Sequence, residues 1–384
     1  MGIARLKELA VKIEKKQGNV LNYPVKAQEK YISHFKEPKD LIERSFFQYK
    51  CQMKFYGGFI SFFLNLASLP LSIKYLLNLK SKKVLKEEKA DAVFLADGKP
   101  FNIIPLSLLE RYKNIVTSEE NSGALFAFDI AFLKEIFKRY PFSWHFWLKS
   151  IIKTARYSAQ AEKYSPKALI SCDEYSFTSS LLTEWCRRKN IIRINVMHGE
   201  KLYFMRDSFV CYDEYFVWDK YYADLLISMG AEKSQFNIEA PPSVKIKADK
   251  DIKKEFDFTY YLAAEPESVL KIISSNLLKL KSLGYKISVR PHPRYADMEV
   301  TKELFCEFNI EDTSAVSIEA SLLSSKNAVS LYSSVLNQAY HADIGVVIDD
   351  ISNPENFKKL KERGYIMLSV NHRLLSEIVE ENKN

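Results

Sequence analysis

The chain has 384 residues, a formal net charge of +8, 47% apolar residues and 13% aromatic ones; this excludes wholesale disorder and suits two domains of ordinary size. Its 11 glycines are few, and neither GxxxxGK(S/T) nor GxGxxG occurs, so those glycine-rich phosphate loops do not carry its chemistry. Five scattered cysteines (Cys51, Cys172, Cys186, Cys211, Cys306) form no CxxC pair, as expected of reduced thiols rather than a disulfide frame or a zinc site.

Charge is unevenly placed. Residues 1–90 hold 18 Lys+Arg against 8 Asp+Glu, a net of +10, so residues 91–384 come to −2. Such asymmetry points to an anionic surface, either lipid or nucleic acid. The first apolar run is short and broken by Lys7, Glu8 and Lys12, so it does not read as a signal peptide.

Residues 1–50 read as helical, with a break near Tyr23-Pro24. The stretch from Phe55 to Ile73 carries no charge and is nearly long enough to span a bilayer. Gly57-Gly58, Ser61, Asn65, Ser68 and Pro70 weaken a spanning reading. Lys50 and Lys54 precede it, and Lys74, Lys80, Lys82, Lys83 and Lys86 follow. That leaves two readings: a helix lying in the headgroup region of an anionic membrane, or a helix buried in its own domain.

From residue 90 strands and helices alternate. Ala92–Ala96 and Ala124–Phe128 read as strands, and a helix carrying Trp144, Phe146, Trp147 and Ile151 follows. Ala168–Ser171 is a strand ending in Cys172-Asp173-Glu174, Ser179–Arg188 a helix, and Ile191–Met197 a strand ending in His198-Gly199-Glu200. Tyr215–Trp218 is a short strand, and Tyr221–Met229 a helix closed by Gly230. Pro241-Pro242 and the lysine-rich run 245–254 read as a linker. Phe256–Leu262, Ile287–Val289, Ala328–Leu331 and Ile344–Ile348 are further strands, with helices over Glu267–Leu283 and Val335–His341. Repeated βα units with continuous apolar strands imply α/β domains, each a parallel sheet covered by helices. The expected division is a helical basic region over 1–89, one Rossmann-like domain over 90–243 and a second over 250–384.

Several strand exits carry residues suited to chemistry. Arg290-Pro291-His292-Pro293-Arg294 holds an imidazole on a stiff loop between two guanidiniums suited to phosphate. Ser333-Ser334 opens a helix, where hydroxyls and free N–H groups either bind an anion or simply cap the helix. His198 has the titration range of a general base and sits beside Gly199, which permits a tight turn. Asp173-Glu174 is a further candidate, as a base or as a solvated acidic loop. Asp97-Gly98 reads as a turn, and Asp349-Asp350 as a turn or a ribose contact. No convincing DxD pair for a divalent cation is present.

The order strand–HG, linker, strand–RPHPR and Ser-Ser at a helix start resembles the GT-B-fold bacterial transferases of surface polysaccharide. Among these are the bacterial sialyltransferases and, more distantly, the teichoic-acid glycerophosphotransferases and capsule Kdo transferases. The resemblance covers roughly residues 168–350 and rests on short motifs. It implies two Rossmann-like domains facing across a cleft. It also implies that His292, with Pro293, contacts or protonates the departing nucleotide phosphate. Glu319 would bind the ribose hydroxyls of CMP, and Ser333 and Ser334 the phosphate, with Arg290 and Arg294 adding positive charge. Sialyltransferases usually place an acidic pair before a glycine in the first domain. Here that position reads His198-Gly199-Glu200-Lys201, similar to the glycerophosphotransferases, whose base is a histidine and whose donor is CDP-glycerol.

The expected function is transfer of a sialic-acid-like sugar from a CMP-linked donor to an acceptor hydroxyl, without a metal or other cofactor. The base would be His198, Glu200 or Asp173. A CDP-glycerol-type polyol-phosphate transferase is the alternative, and a non-catalytic membrane- or nucleic-acid-binding protein a third reading. Against nucleic acid, the positive charge is interleaved with a long apolar run rather than gathered on a recognition helix. The expected partners are a nucleotide-activated donor, a lipid-linked or oligosaccharide acceptor and an anionic membrane. The expected place is the cytoplasm, peripheral on the inner face of the plasma membrane.

Overall fold

The computed structural model describes residues 20–79, 89–119, 123–246, 253–294 and 296–381. The expectation of helix over residues 1–19, most of the lysine-rich linker, and Lys80, Lys82, Lys83 and Lys86 lie outside them. The chain forms two units, one of the residues up to His198 with Tyr203–Pro241, the other of Gly199–Leu202 with the residues from Pro242 onward.

The first unit opens with helices α1 (Val25–Ile32), α2 (Leu41–Tyr56) and α3 (Gly58–Leu79). Asp40 caps α2 by accepting the Glu43 N–H at 2.8 Å, and Glu43 reaches back to the Lys39 N–H at 2.6 Å. Gly57, at φ +82°, ends α2 and lets the chain turn at once into α3. Then come β1 (Ala92–Leu95), α4 (Leu106–Arg111), β2 (Ile115–Ser118), α5 (Ala127–Arg139), α6 (Trp144–Tyr164) and β3 (Ala168–Ser171). After them run α7 (Ser179–Arg188), β4 (Ile192–Val196), β5 (Glu214–Val217), α8 (Lys220–Ser228) and β6 (Phe236–Ile238).

Among the described residues these strands form a parallel six-stranded sheet in the order β2-β1-β3-β4-β5-β6. Both faces are covered, which suits the apolar run of β1, while β4 buries Arg193 and Asn195. Val93, Leu95 and Leu169 pack with Ile42, Tyr49, Met53, Leu64, Leu71 and residues of α5, α6 and α7. Ala92, Phe94, Ile170 and Val196 pack on the other side with Ile103, Leu108 and Tyr112. The N-terminal helices therefore share the core of the first sheet. Gly230 ends the α8 segment at φ +87°, and a Cβ there would meet the Phe209 ring at 2.9 Å. We expect Gly230→Ala to destabilise by more than about 1 kcal/mol in urea unfolding, because backbone strain and overlap add.

The second unit contains β7 (Phe256–Tyr261), α9 (Glu267–Ser282), β8 (Ile287–Arg290), α10 (Met298–Leu304), β9 (Asn309–Ile310) and α11 (Ile318–Leu323). It continues with β10 (Ser325–Ser330), α12 (Ser334–His341), β11 (Gly345–Ile348), α13 (Pro354–Glu362), β12 (Arg373–Leu374) and α14 (Leu375–Glu381). Its described strands also make a parallel six-stranded sheet, in the order β12-β11-β10-β7-β8-β9. Counted from its own first strand this is 3-2-1-4-5-6 read from the β9 edge, the doubly wound order of dinucleotide-binding domains. Leu270, Ile273, Leu277 and Leu280 of α9 pack with Tyr260, Val289, Val329 and Val347, joined by Leu375 and Ile378.

One strand expectation is corrected. Ala124–Phe128 is not a strand: the Ala124 N–H donates to the Ala155 carbonyl of α6 at 3.0 Å, and Ala127 opens α5. Asp129 caps that helix by accepting the Phe126 N–H at 2.8 Å, which draws this apolar run out of the sheet. The place beside β1 is taken by Ile115–Ser118.

Candidate functional site

Parallel α/β sheets bind ligands beyond the carboxyl ends of their strands, at the point where strand order reverses. In the first sheet that point lies between β1 and β3. The β1 exit carries Asp97, paired with the buried Arg156 at 2.6 Å. The β3 exit carries Asp173, Glu174 and Tyr175, and the β4 exit next to it carries His198.

The two adjacent carboxylates of the β3 exit have different surroundings. Asp173 accepts from Ser171 Oγ and from Arg193 Nη2, each at 2.6 Å, and lies 3.7 Å from Lys153 Nζ. Arg193 is fully buried, between the rings of Tyr157 (4.9 Å) and Tyr212 (5.3 Å). Burial would push the Asp173 carboxyl up, but the Arg193 and Lys153 charges and the Ser171 hydroxyl outweigh it and hold the group below the usual aspartate range. Asp173 is thus held as an ionised carboxylate by Arg193, Lys153 and Ser171.

Glu174 is fully buried and faces the histidine: its Oε1 lies 3.2 Å from His198 Nδ1. Its other oxygen accepts from Asn195 Nδ2 at 3.4 Å. A carboxylate on the Nδ1 side of an imidazole orients the ring and leaves Nε2 as its other nitrogen. Tyr175 stands edge-on to His198 with ring centroids 5.9 Å apart, and the Arg206 guanidinium covers Tyr175 at 5.1 Å. Burial, followed by Glu174, pushes the Tyr175 phenol up to about 12, so it stays a neutral wall. The sequence marks Asp173-Glu174 and leaves the base open among His198, Glu200 and Asp173; the adjacency of β3 and β4 is what brings Glu174 to His198.

Glu200, another expected base, belongs to the second unit, where Asn337 Nδ2 of α12 donates to its carboxylate. At this sheet the strand-order reversal lies between β7 and β10. The β10 exit leads to Ser333, whose Oγ accepts the Val335 N–H at 3.2 Å as the cap of α12, with Ser334 the first helical residue. The serine pair therefore presents the start of an eight-residue helix, with the positive end of its dipole, at this edge.

His292 follows β8, and its Nδ1 accepts the Arg294 N–H at 3.1 Å. In the neutral ring that bond fixes the proton on Nε2, making it a donor. Burial, then the Arg294 charge, lowers the His292 pKa, which favours that neutral donor form. Pro293 and Arg294 are exposed beside it. Arg290 is placed differently from expectation. It is buried, bonded to Glu311 at 2.7 Å and to the Val316 carbonyl at 2.9 Å, which ties the end of β8 to the segment after β9. Glu319 is exposed in the first turn of α11. Of the Asp349-Asp350 pair, Asp349 accepts the Tyr260 hydroxyl at 2.6 Å and the N–H groups of Ile351 and Ser352, a turn. Glu265, which sequence reading passed over, sits after β7 with its carboxyl pushed up by burial and by Asp349.

No protein-family model matches the chain, and no curated protein matches it. Among solved structures it is similar to UDP-GlcNAc 2-epimerase of Methanocaldococcus jannaschii in complex with UDP-GlcNAc and UDP (11% identity, TM-score 0.44, 77% of this chain and 92% of that one). It is also similar to the wall teichoic acid polymerase TagF (11% identity, TM-score 0.44, 85% and 89%). A third such structure is UDP-GlcNAc 2-epimerase from Neisseria meningitidis bound to UDP-GlcNAc (12% identity, TM-score 0.44, 77% and 91%). Likeness at this level assigns no residue role.

Proposed function

We propose that the protein is a transferase that moves a group from a cytidine-nucleotide-activated donor to an acceptor hydroxyl of bacterial surface polysaccharide, free or lipid-linked. It would act in the cytoplasm, at the membrane. The observation that carries the reading is the buried Glu174 carboxylate 3.2 Å from His198 Nδ1 at the carboxyl edge of the first sheet. His198 Nε2 takes the acceptor proton as the acceptor oxygen attacks the donor. The bond to the nucleotide phosphate breaks, and the nucleotide leaves with the bonding electron pair. Within the second unit, Arg294, the His292 Nε2–H and the helix start at Ser333-Ser334 are the groups suited to receive such charge. Glu319 remains the proposed ribose contact.

Two donors fit this scheme: a CMP-activated sialic-acid-like sugar, attacked at carbon, and a CDP-activated polyol, attacked at phosphorus. The dyad favours the second. An imidazole base gains positive charge as it takes the acceptor proton, which favours a donor with a charged diphosphate.

Thermal unfolding with CMP, CDP and UDP tests the reading. CMP or CDP at about 100 times its dissociation constant is expected to stabilise by roughly 2.7 kcal/mol, and His292→Ala to lose most of that shift. Absence of a response to both cytidine nucleotides would sink it. Product analysis with a CMP-linked sugar and a CDP-linked polyol then separates the two donors.

A further inference from the structure

The helix α3 presents an apolar stripe that the fold leaves uncovered. Phe59, Phe62, Phe63, Leu66, Ile73 and Leu77 are 48–77% exposed, and they recur at the spacing of a single helical face. Pro70 is exposed on the same face. Leu64, Ser68, Leu71 and Ser72, on the opposite side, are buried in the first unit. The polar side chains of the helix do not interrupt the stripe. Ser61, Ser68 and Ser72 turn their hydroxyls to the carbonyls of Met53, Leu64 and Ser68, at 2.6–2.8 Å. Asn65 donates to the Phe142 carbonyl at 2.8 Å, fixing Phe142, 79% exposed, beside the helix.

We propose that this face of α3, with Phe142, is a docking surface for an anionic lipid bilayer, in which the helix lies in the plane of the headgroups. A contiguous apolar patch of this kind marks an interaction site. Charge complementarity selects the occupant. From Arg44 to Lys86 the sequence contains no Asp or Glu, while Lys54 and Lys74 flank the described stripe. Lysines bordering an apolar helix face set cations at the depth of lipid phosphates. A second copy of the chain fits poorly, because stripe-to-stripe pairing, parallel or antiparallel, brings lysine against lysine. The helix is long and apolar enough to cross a membrane, but packing favours the in-plane arrangement, since a span would strip Leu64 and Leu71 from the core they share with Val93 and Leu169. The inference does not depend on the donor chemistry.

Flotation of the full-length protein tests it, with vesicles of phosphatidylcholine alone and with about one third phosphatidylglycerol. The wild type is expected to float with the anionic vesicles and to release them in high salt. The triple variant Phe59→Ser/Phe62→Ser/Phe63→Ser is expected to reduce the bound fraction about tenfold or more while unfolding at the wild-type temperature, since all three residues are exposed. Lys54→Glu/Lys74→Glu is expected to abolish the preference for anionic vesicles. Wild type that stays unbound, or a triple variant that floats like wild type, overturns the proposal. So does a wild-type dimer that the triple variant converts to monomer without any vesicle binding. Stabilisation by cytidine nucleotides in the triple variant is read alongside, so that failure here is separable from failure of the transferase reading.

Discussion

Replacing His198 by alanine is expected to lower turnover about 10²- to 10⁴-fold with little change in donor affinity, the range for loss of a positioned general base. Glu174→Gln is expected to lose less, about 10²-fold, since the imidazole remains but the carboxylate that orients it is gone. The two losses are not additive, because the carboxylate acts only through the ring. A double variant no slower than His198→Ala alone is the expected signature. Adding imidazole to His198→Ala should restore part of the rate by refilling the space left. His198→Ala turning over within twofold of wild type would remove His198 from the chemistry and return attention to the β1 exit.

The second large effect concerns folding. Arg193→Leu leaves Asp173 as a buried carboxylate facing an apolar side chain, and removal of one partner of such a pair costs about 3–5 kcal/mol. For a unit of this size that lowers the unfolding temperature by roughly 10 °C. Pairing it with Asp173→Asn should recover part of the loss, because no buried charge is then left alone. The same pair gives a pH signature. The Asp173 carboxyl is depressed in the folded state, so its contribution is complete above the unfolded aspartate value of about 3.9. It is lost as pH falls through the lower folded value. Wild type should therefore lose stability on acidification below about pH 4 more steeply than the double variant. Equal slopes would show that the ion pair contributes nothing net.

Much of the fold is legible because both sheets are parallel and covered on two sides, so central strands appear as short apolar runs. Ala92–Leu95, Ala168–Ser171 and Gly345–Ile348 stand out on this ground. The strands β2, β6, β9 and β12 do not: they lie at or next to sheet edges, are two to four residues long, and expose much of their length. Ala124–Phe128 fails in the opposite sense, being apolar because it packs beside α6 rather than pairing in the sheet. The candidate site follows the same logic. His198 and His292 are visible because a strand followed by a stiff or tight turn points to the functional edge. The partner of each charged residue is not visible. Glu174 meets His198 only because β3 and β4 are neighbours, and Arg290 meets Glu311 from 21 residues away, across β8 and β9. Pairing between strands depends on sheet order, which local pattern does not encode.

Gln48, halfway along α2, donates to the backbone carbonyls of Glu174 at 3.2 Å and Arg206 at 2.9 Å, and accepts the Ser179 hydroxyl at 3.1 Å. One turn earlier, Ser45 accepts the Leu181 N–H at 2.7 Å. The loop that carries Glu174 is thus stitched to the helix just before the exposed stripe of α3. The described N-terminal helices are therefore built into the first unit: removing α2 would strip its partners from the loop that carries Glu174. The short passage Gly199–Leu202 belongs instead to the second unit, where Glu200 answers to Asn337.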